Sequence, residues 1–205
     1  MSARFYDDNA ASFIAATVEV DMADLYAPFL EQIPDGGSIL DAGSGSGRDA
    51  LAFRQLGYIV EAFDASQAMV TATRELADVP VRQATFETFE CARTYDGIWA
   101  CASLLHVEKR DLPEALERLV GALAPGGVIY ASFKRGDLER EHEGRFFLDL
   151  DEVALCDIVL HCGELDVLHV WTTLDQRPGR SDDRWLNCLL RRAEAAEQLQ
   201  GQSET

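Results

Sequence analysis

A glycine-rich turn between an apolar segment and a helical segment constrains the fold of this chain most strongly. Residues 38–42 are a short apolar segment, Gly43-Ser44-Gly45-Ser46-Gly47 follows, and residues 48–55 have a helical pattern. Glycine adopts positive φ angles without strain and lets a ligand approach the backbone closely. In open α/β sheets such a turn lies at the carboxyl edge of the strands, where ligands bind. The sequence therefore predicts a ligand site at this turn.

A carboxylate at the end of the next predicted strand indicates what the ligand contains. Asp64 follows Gly43 by 21 residues, a spacing at which a carboxylate accepts hydrogen bonds from ribose hydroxyls. The dinucleotide pattern G-x-G-x-x-G would need a glycine at position 48, where this chain has Arg48. S-adenosylmethionine has no phosphate for a helix N-terminus to hold, and its ammonium and sulfonium groups suit an acid such as Asp41. The turn and Asp64 together favour a nucleoside ligand of this kind.

Strands and helices alternate after residue 37, which predicts a parallel sheet with helices on both faces. Two helices are expected within residues 7–32, with Asn9 and Asp21 as caps. The fold class is α/β: a three-layer Rossmann-like sheet of seven strands, mostly parallel, with a C-terminal antiparallel hairpin. Strands are predicted at 38–42, 58–63, 79–84, 96–101, 128–133, 165–174 and 184–190, and further helices at 48–55, 66–77, 111–124 and 151–161.

The chain is expected to form one domain, residues 1–205. Its predicted parts are an N-terminal helical lid (1–35), a cofactor-binding core (36–134), a substrate-side excursion with closing strands (135–191) and a polar tail (192–205). The length of 205 residues suits one domain with a small cap, which favours a small acceptor.

Composition narrows the expected partners and compartment. The formal net charge is −18, which disfavours nucleic acids and anionic membranes as partners, because both repel an acidic protein. The five cysteines are scattered without a Cys-x-x-Cys pair, as in reduced cytoplasmic proteins, and no metal site is expected. The sequence shows neither a secretion signal nor an apolar span, so we expect a cytoplasmic monomer or homodimer.

Residues 38–133 resemble the class I S-adenosylmethionine-dependent methyltransferases. The resemblance rests on Leu40 to Gly47, on Ala62 to Ser66 with Met69, and on Tyr95 to Trp99 with Leu105-His106-Val107 and Leu123 to Gly127. Within this family, the arginine at position 48 makes the chain resemble the small bacterial methyltransferases of the tellurite-resistance type. The resemblance implies S-adenosyl-L-methionine as cofactor and S-adenosyl-L-homocysteine as product.

The resemblance also implies roles for individual residues. Those near the methionine end of the cofactor would be Asp41, Gly43, Ser44, Gly45 and Arg48. The ribose and its surroundings would meet Asp64, Ala65, Ser66 and Met69. The adenine would meet Thr85, Phe86 or Glu87, and the sulfonium would lie near Ala100, Cys101 and Ser103.

Methyl transfer from a sulfonium needs alignment above all, and a general base only if the acceptor must lose a proton. His106 is the candidate base, with the alternative that its imidazole only orients the backbone. Tyr6 is a candidate for closing over the methionine group or the acceptor, or else a core residue. Lys134, Arg135, Arg140 and Arg145 would suit an anionic acceptor, or form a solvated mixed-charge loop.

The sequence thus predicts a methyltransferase for a small-molecule acceptor, with an anionic or metalloid acceptor among the options. Two alternatives stay open. One is a non-catalytic S-adenosylmethionine-binding regulatory protein, because methyltransferases need no obligatory catalytic residue. The other is a nicotinamide-dependent oxidoreductase, which the position of Arg48 and the absence of a Tyr-x-x-x-Lys pair disfavour.

Overall fold

The structure, a computed structural model, describes residues 2–91, 93–177 and 183–193. The helices are α1 (Ser2–Asp8), α2 (Ala10–Thr17), α3 (Ala23–Leu30), α4 (Arg48–Gln55), α5 (Gln67–Ala77), α6 (Leu112–Gly121) and α7 (Glu152–Cys162), with one 3₁₀ turn at Leu104–His106. The strands are β1 (Ser38–Ala42), β2 (Ile59–Asp64), β3 (Val81–Gln83), β4 (Tyr95–Ala100), β5 (Leu123–Arg135), β6 (Glu139–His142), β7 (Arg145–Leu150), β8 (Leu165–Leu174) and β9 (Arg184–Arg192).

The sheet has the predicted α/β topology. Its order is β3-β2-β1-β4-β5, all parallel, and β9 and β8 continue it as antiparallel strands beside β5. β1 pairs with β2 on one side and β4 on the other, so the strand order reverses at β1. The turns after β1 and β4 therefore face each other at the carboxyl edge, where open sheets bind ligands. The predicted Rossmann-like fold is confirmed.

Two strands add to the seven that the sequence predicts. The polar excursion expected at residues 135–145 is wrong in part, because β6 and β7 form a hairpin there. β7 pairs with the last two residues of β5, Lys134 and Arg135. The hairpin therefore stands at the carboxyl end of β5, on the ligand side of the sheet.

The N-terminal region has three helices where two were predicted, and the first starts at Ser2 rather than Asp7. Asn9 stands at the N-cap position of α2 but its side chain donates to the Phe5 carbonyl instead of capping. The Asp21 carboxylate does accept the Ala23 N–H at the start of α3. Neither α1 nor α2 has a buried residue, so both lie on the outside of the fold.

The sheet's two faces carry separate buried clusters, because successive strand residues point to opposite faces. One face packs Phe29 of α3 and Phe53 of α4 against Trp99, which stacks on Tyr130 with centroids 3.9 Å apart. The other face packs α6 and α7 against alternate strand residues such as Ile98. No helix within the described ranges is long and apolar enough to cross a bilayer. The polar tail was predicted to begin at residue 192, but β9 includes Arg192. Residues 194–205 lie outside the described residues.

Candidate functional site

The glycine turn after β1 has the backbone that its sequence predicts. Gly43, Gly45 and Gly47 all have positive φ angles, of 86°, 53° and 83°. A Cβ on Gly43 would lie 2.4 Å from the Cβ of Ser103, whose hydroxyl donates to the Ala42 carbonyl at 2.6 Å. The turn after β1 and the segment after β4 are thus in direct contact, and only glycine fits between them. The close approach leaves backbone exposed toward the cavity beside the turn.

Asp64 projects into this edge from the end of β2. Its Oδ2 accepts the Gly45 N–H and its Oδ1 accepts the Ser66 N–H, both at 2.9 Å. Burial raises the pKa of Asp64 to about 6, against the effect of these backbone donors. Each carboxylate oxygen keeps a lone pair free for a second donor. Asp64 is therefore a fixed double acceptor, and it is charged above about pH 6.

A buried network around Asp49 fixes the start of α4 under the turn. The Arg48 guanidinium donates to both Asp49 oxygens, at 2.6 and 2.9 Å, and Trp99 Nε1 donates to Oδ2. Although burial acts against it, the Arg48 charge lowers the pKa of Asp49. Burial, and then the Asp49 charge, raises the pKa of Asp41 well above its usual range. Among the described residues, Asp41 Oδ2 is buried without a hydrogen-bond partner. The raised pKa favours the neutral carboxyl group of Asp41 over the carboxylate.

A cavity of about 830 Å³ opens between this edge, α1 and the β6–β7 hairpin. Drug-sized ligands occupy pockets of roughly 300–1,000 Å³. Most predicted site residues line it, namely Tyr6, Gly43, Ser44, Gly45, Arg48, Asp64, Ala65, Met69, Thr85, Phe86, Glu87, Cys101, Ser103 and His106. Three do not line it: Asp41 and Ser66 are buried behind the wall, and Ala100, the last residue of β4, packs in the core.

Phe86 and its neighbours form the cavity wall beyond Asp64. Phe86 packs edge-on against Phe63 of β2, with centroids 5.4 Å apart, and Thr85 and Thr88 bond each other and close a short turn. A ring beside a carboxylate that accepts ribose hydroxyls is suited to an adenine. Phe13 of α2 reaches the opposite side, 3.3 Å from where a Gly45 Cβ would stand.

Tyr6 and His106 are in direct contact at the cavity wall. The Tyr6 hydroxyl lies 2.8 Å from His106 Nε2, and His106 Nδ1 lies 2.6 Å from the Phe146 carbonyl oxygen. Because a carbonyl only accepts, Nδ1 carries the proton and Nε2 accepts the Tyr6 hydroxyl. Burial lowers the pKa of His106 to about 4. His106 is therefore a neutral, oriented imidazole at neutral pH.

Helix α1 is tied to the sheet edge at three further places. The Asp7 carboxylate accepts the Ser66 hydroxyl at 2.6 Å and the Ala68 N–H at 3.0 Å, at the start of α5. Ser2 Oγ accepts the Phe146 N–H at 3.3 Å. α1 thus bridges α5 and β7 and forms one wall of the cavity.

The carboxyl end of β5 and the start of β9 supply further cavity residues, of which only Lys134 was a candidate from the sequence. Lys134 pairs with Asp183 at 2.6 Å and lies 4.6 Å over the Trp185 ring. Arg177 pairs with Asp175, which also accepts Trp185 Nε1. The predicted antiparallel hairpin could have indicated these residues, because a strand antiparallel to β5 begins at the edge of the sheet where β5 ends. The connection between β8 and β9 lies partly outside the described residues, at 178–182.

Metal-binding geometry does not occur in the described part of the chain: no group of three or more His, Cys, Asp or Glu residues is placed to hold an ion. His142 is exposed and pairs only loosely with Glu143 at 3.9 Å. The five cysteines, Cys101 of the cavity wall among them, are all free thiols. Burial raises the pKa of Cys101 to about 12, so its thiol is protonated and unreactive at neutral pH.

Comparison with known proteins gives a family for the central part of the chain. A family model described as a methyltransferase domain matches residues 39–127. A sequence search of curated proteins finds no match. Many solved structures share the fold, at identities below 25% for those compared below.

Three solved structures illustrate the similarity. A Burkholderia thailandensis 1,6-didemethyltoxoflavin-N1-methyltransferase, bound to 1,6-didemethyltoxoflavin and S-adenosylhomocysteine, has a TM-score of 0.75 at 18% identity, covering 94% of this chain and 89% of that one. The magnesium protoporphyrin IX methyltransferase of Synechocystis PCC 6803, with bound S-adenosylmethionine, has a TM-score of 0.71 at 13% identity, covering 94% and 95%. The [4+2]-cyclase SpnF has a TM-score of 0.71 at 16% identity, covering 95% and 96%.

Proposed function

Because residues 39–127 form a methyltransferase domain and the chain has the fold of the class I S-adenosylmethionine-dependent methyltransferases, we propose that this protein transfers a methyl group from S-adenosylmethionine to a small-molecule acceptor. The observation that carries the proposal is the pairing of Asp64 with the glycine turn at the point where the strand order reverses. Two of the solved structures with this fold contain S-adenosylmethionine or S-adenosylhomocysteine.

The residues present fit that cofactor. Asp64 offers two charged acceptors to the ribose hydroxyls, and Phe86 offers a ring edge to the adenine. Arg48 lines the cavity beside the glycine turn, where Asp49 fixes its guanidinium.

The cofactor, when bound, supplies a methyl group on a positively charged sulfur. The chain's own contribution is alignment, which lowers the barrier by holding donor and acceptor in line. We assign this role to Tyr6, whose hydroxyl proton points to His106 Nε2 and whose oxygen can accept a hydrogen bond from the acceptor. His106 orients Tyr6; with a pKa of about 4 it is a weak base at neutral pH.

The size of the cavity and its walls support a small acceptor. The cavity volume of about 830 Å³ must hold both the cofactor and the acceptor. Helix α1 and the β6–β7 hairpin form the walls that limit this volume. A net charge of −18 disfavours a nucleic-acid acceptor.

The test is binding followed by turnover. At 100 times its dissociation constant, S-adenosylhomocysteine should stabilise the protein by about 2.7 kcal/mol and raise Tm by roughly 5–10 °C, while NAD leaves Tm unchanged. Incubation with S-adenosylmethionine and a small-molecule library should then release S-adenosylhomocysteine. A shift with NAD alone would establish a dinucleotide site instead.

One second candidate is kept because of a specific comparison. SpnF has this fold and is described as a [4+2]-cyclase, so the fold alone does not fix the reaction. If S-adenosylhomocysteine binds but no acceptor is methylated, the protein is a cofactor-binding protein without methyl transfer. Methyl transfer must therefore be measured directly.

A further inference from the structure

Among the described residues, the cavity wall contains five basic side chains, and four of them are paired with well-packed carboxylates. The partner side chains are only 9% exposed for Asp49, 12% for Asp149 and 3% for Asp175. The tied cations are Arg48 with Asp49, Arg140 with Asp149, Arg177 with Asp175, and Lys134 with Asp183 and Asp175. These four charges are largely neutralised where they stand.

Arg145 differs from the other four. Its one carboxylate partner among the described residues is Glu143, reached by a single contact of 3.0 Å. The Glu143 side chain is 62% exposed, whereas that of Arg145 is 17% exposed. An exposed ion pair contributes about 0–1 kcal/mol, so Glu143 holds the guanidinium weakly.

Two aromatic rings hold the Arg145 guanidinium instead. Its Cζ lies 4.2 Å from the Phe5 ring centroid and 5.1 Å from the Phe147 centroid. Its Nε has no hydrogen-bond partner among the described residues. Ring faces fix the position of a guanidinium without using its N–H donors. Arg145 is thus positioned in advance, with its terminal nitrogens engaged only by exposed Glu143 and by the Tyr6 hydroxyl among the described residues.

Arg145 stands beside the residues to which we assign alignment. The next residue, Phe146, supplies the carbonyl that holds His106, and Phe5 precedes Tyr6. Burial raises the pKa of Tyr6, and the Arg145 charge is the largest influence that opposes the rise. The guanidinium therefore acts on the same part of the cavity as the Tyr6 hydroxyl.

We propose that Arg145 is the specificity-determining residue for the acceptor and that the acceptor is a small organic anion, with a carboxylate for Arg145 and an apolar body for the surrounding phenylalanine rings. This inference rests on the proposed function. A planar guanidinium matches a carboxylate with two parallel hydrogen bonds. Phe146 and Phe147, which line the cavity beside it, favour an aromatic or aliphatic body over a bare inorganic oxyanion.

The experiment measures fragment binding in the presence of saturating S-adenosylhomocysteine. Benzoate, 3-phenylpropanoate and indole-3-acetate are each compared with their primary amides by ligand-observed NMR, with inorganic phosphate as a separate arm. The proteins are the wild type, R145Q, R145K and the double variant R140Q/D149N. The double variant removes the neighbouring ion pair of the same hairpin without changing net charge.

At least one carboxylate should bind the wild type about tenfold more tightly than its amide, and R145Q should abolish that preference. R145K should keep part of it, because lysine keeps the charge but not the planar fork. R140Q/D149N should bind as the wild type does. E143Q should strengthen carboxylate binding by up to about fivefold, since it releases Arg145 from its weak partner.

Three results would overturn the proposal. The first is that no carboxylate binds the wild type more tightly than its amide. The second is that R145Q and R140Q/D149N lose this preference equally. The third is that phosphate binds and the organic acids do not. The S-adenosylhomocysteine-induced Tm shift is recorded for every variant. If S-adenosylhomocysteine does not raise the Tm of the wild type, the proposed function is refuted. If it does raise the Tm but no carboxylate is preferred over its amide, only the assignment to Arg145 is refuted.

Discussion

Burial of the Asp64 carboxylate costs free energy at neutral pH, and the backbone N–H groups that donate to it offset that cost only in part. The structure buries it at the sheet edge and raises its pKa to about 6, so folding must hold a charge where it is disfavoured. Groups of this kind cluster at functional sites. The sequence predicted the position of Asp64 from its spacing to Gly43, but not this electrostatic cost, which depends on burial.

Asp64→Asn should weaken S-adenosylhomocysteine binding by roughly 1.5–3 kcal/mol, or about 10- to 150-fold. The amide has one acceptor oxygen, so its NH₂ must face either the Gly45 or the Ser66 N–H. Calorimetric titration at pH 8 measures the change. Asp157→Asn, an isosteric change on the exposed face of α7, is the control and should bind normally.

The wild-type affinity should also fall with acid. Protonation of Asp64 removes an acceptor, so binding should weaken as pH drops through about 6. An affinity that is equal at pH 8 and pH 5 would refute the assignment of the ribose to Asp64.

His106 lowers the stability of the folded protein in acid, whereas Asp64 has the opposite effect on stability. The unfolded chain binds the imidazole proton near pH 6.5 and the folded protein near pH 4, so the unfolded state binds more protons between these values. Stability is therefore lost as pH falls through this window, by about 3 kcal/mol in full. The raised pKa of Asp64 acts in the opposite direction over part of the same range.

His106→Asn separates the two effects. Asparagine can still donate to the Phe146 carbonyl but does not titrate. Urea unfolding at pH 7.5 and pH 4.5 should show a smaller acid loss in the variant, by about 2–3 kcal/mol. Identical losses in both proteins would mean that the imidazole is not held neutral by burial.

At the scale of elements, buried strands were the most predictable part of the fold. β1 and α4 match their predicted bounds, and β2 and β4 differ by one residue at each end. The predicted helix at 111–124 ends early, at Gly121, because Pro125 disfavours helical backbone at the residue before it and β5 already begins at Leu123.

The β6–β7 hairpin could not be predicted from periodicity. β6 reads Glu139-Arg140-Glu141-His142 and has no apolar face to signal a strand. It is held by backbone pairing to β7 and by the two contacts from Arg140 to Asp149. Such long-range pairing is invisible in a local pattern, and the special position of Arg145 depends on it.

Helix α1 should detach more easily when its Asp7 anchor is removed. Asp7→Ala loses the hydrogen bonds from Ser66 and Ala68, and amide exchange in residues 2–8 should become about three- to tenfold faster. Asp8→Ala is the control, since Asp8 only reaches exposed Arg4 at 3.8 Å. Unchanged exchange in Asp7→Ala would show that other contacts hold α1.

For the whole molecule, the dominant electrostatic feature is self-repulsion. Of the charged residues, 36 are acidic and 18 basic, which gives a formal net charge of −18. Net charge far from zero destabilises the compact state, and salt screens it over about 10 Å at 0.1 M. Tm should therefore rise between 20 mM and 500 mM NaCl at pH 7.5, as scanning calorimetry would measure. A falling Tm would mean that the ion pairs around the cavity outweigh this repulsion.

The two sides of the cavity differ in how freely their sequences can change. On the turn side, a single added Cβ at Gly43 would collide with Ser103, and the neighbouring residues are buried. On the other side, α1 and α2 bury no residue, so substitutions there cost the core little stability. Evolution can therefore rebuild the wall that meets the acceptor while the opposite wall stays fixed, which makes this architecture well suited to acquiring new acceptors.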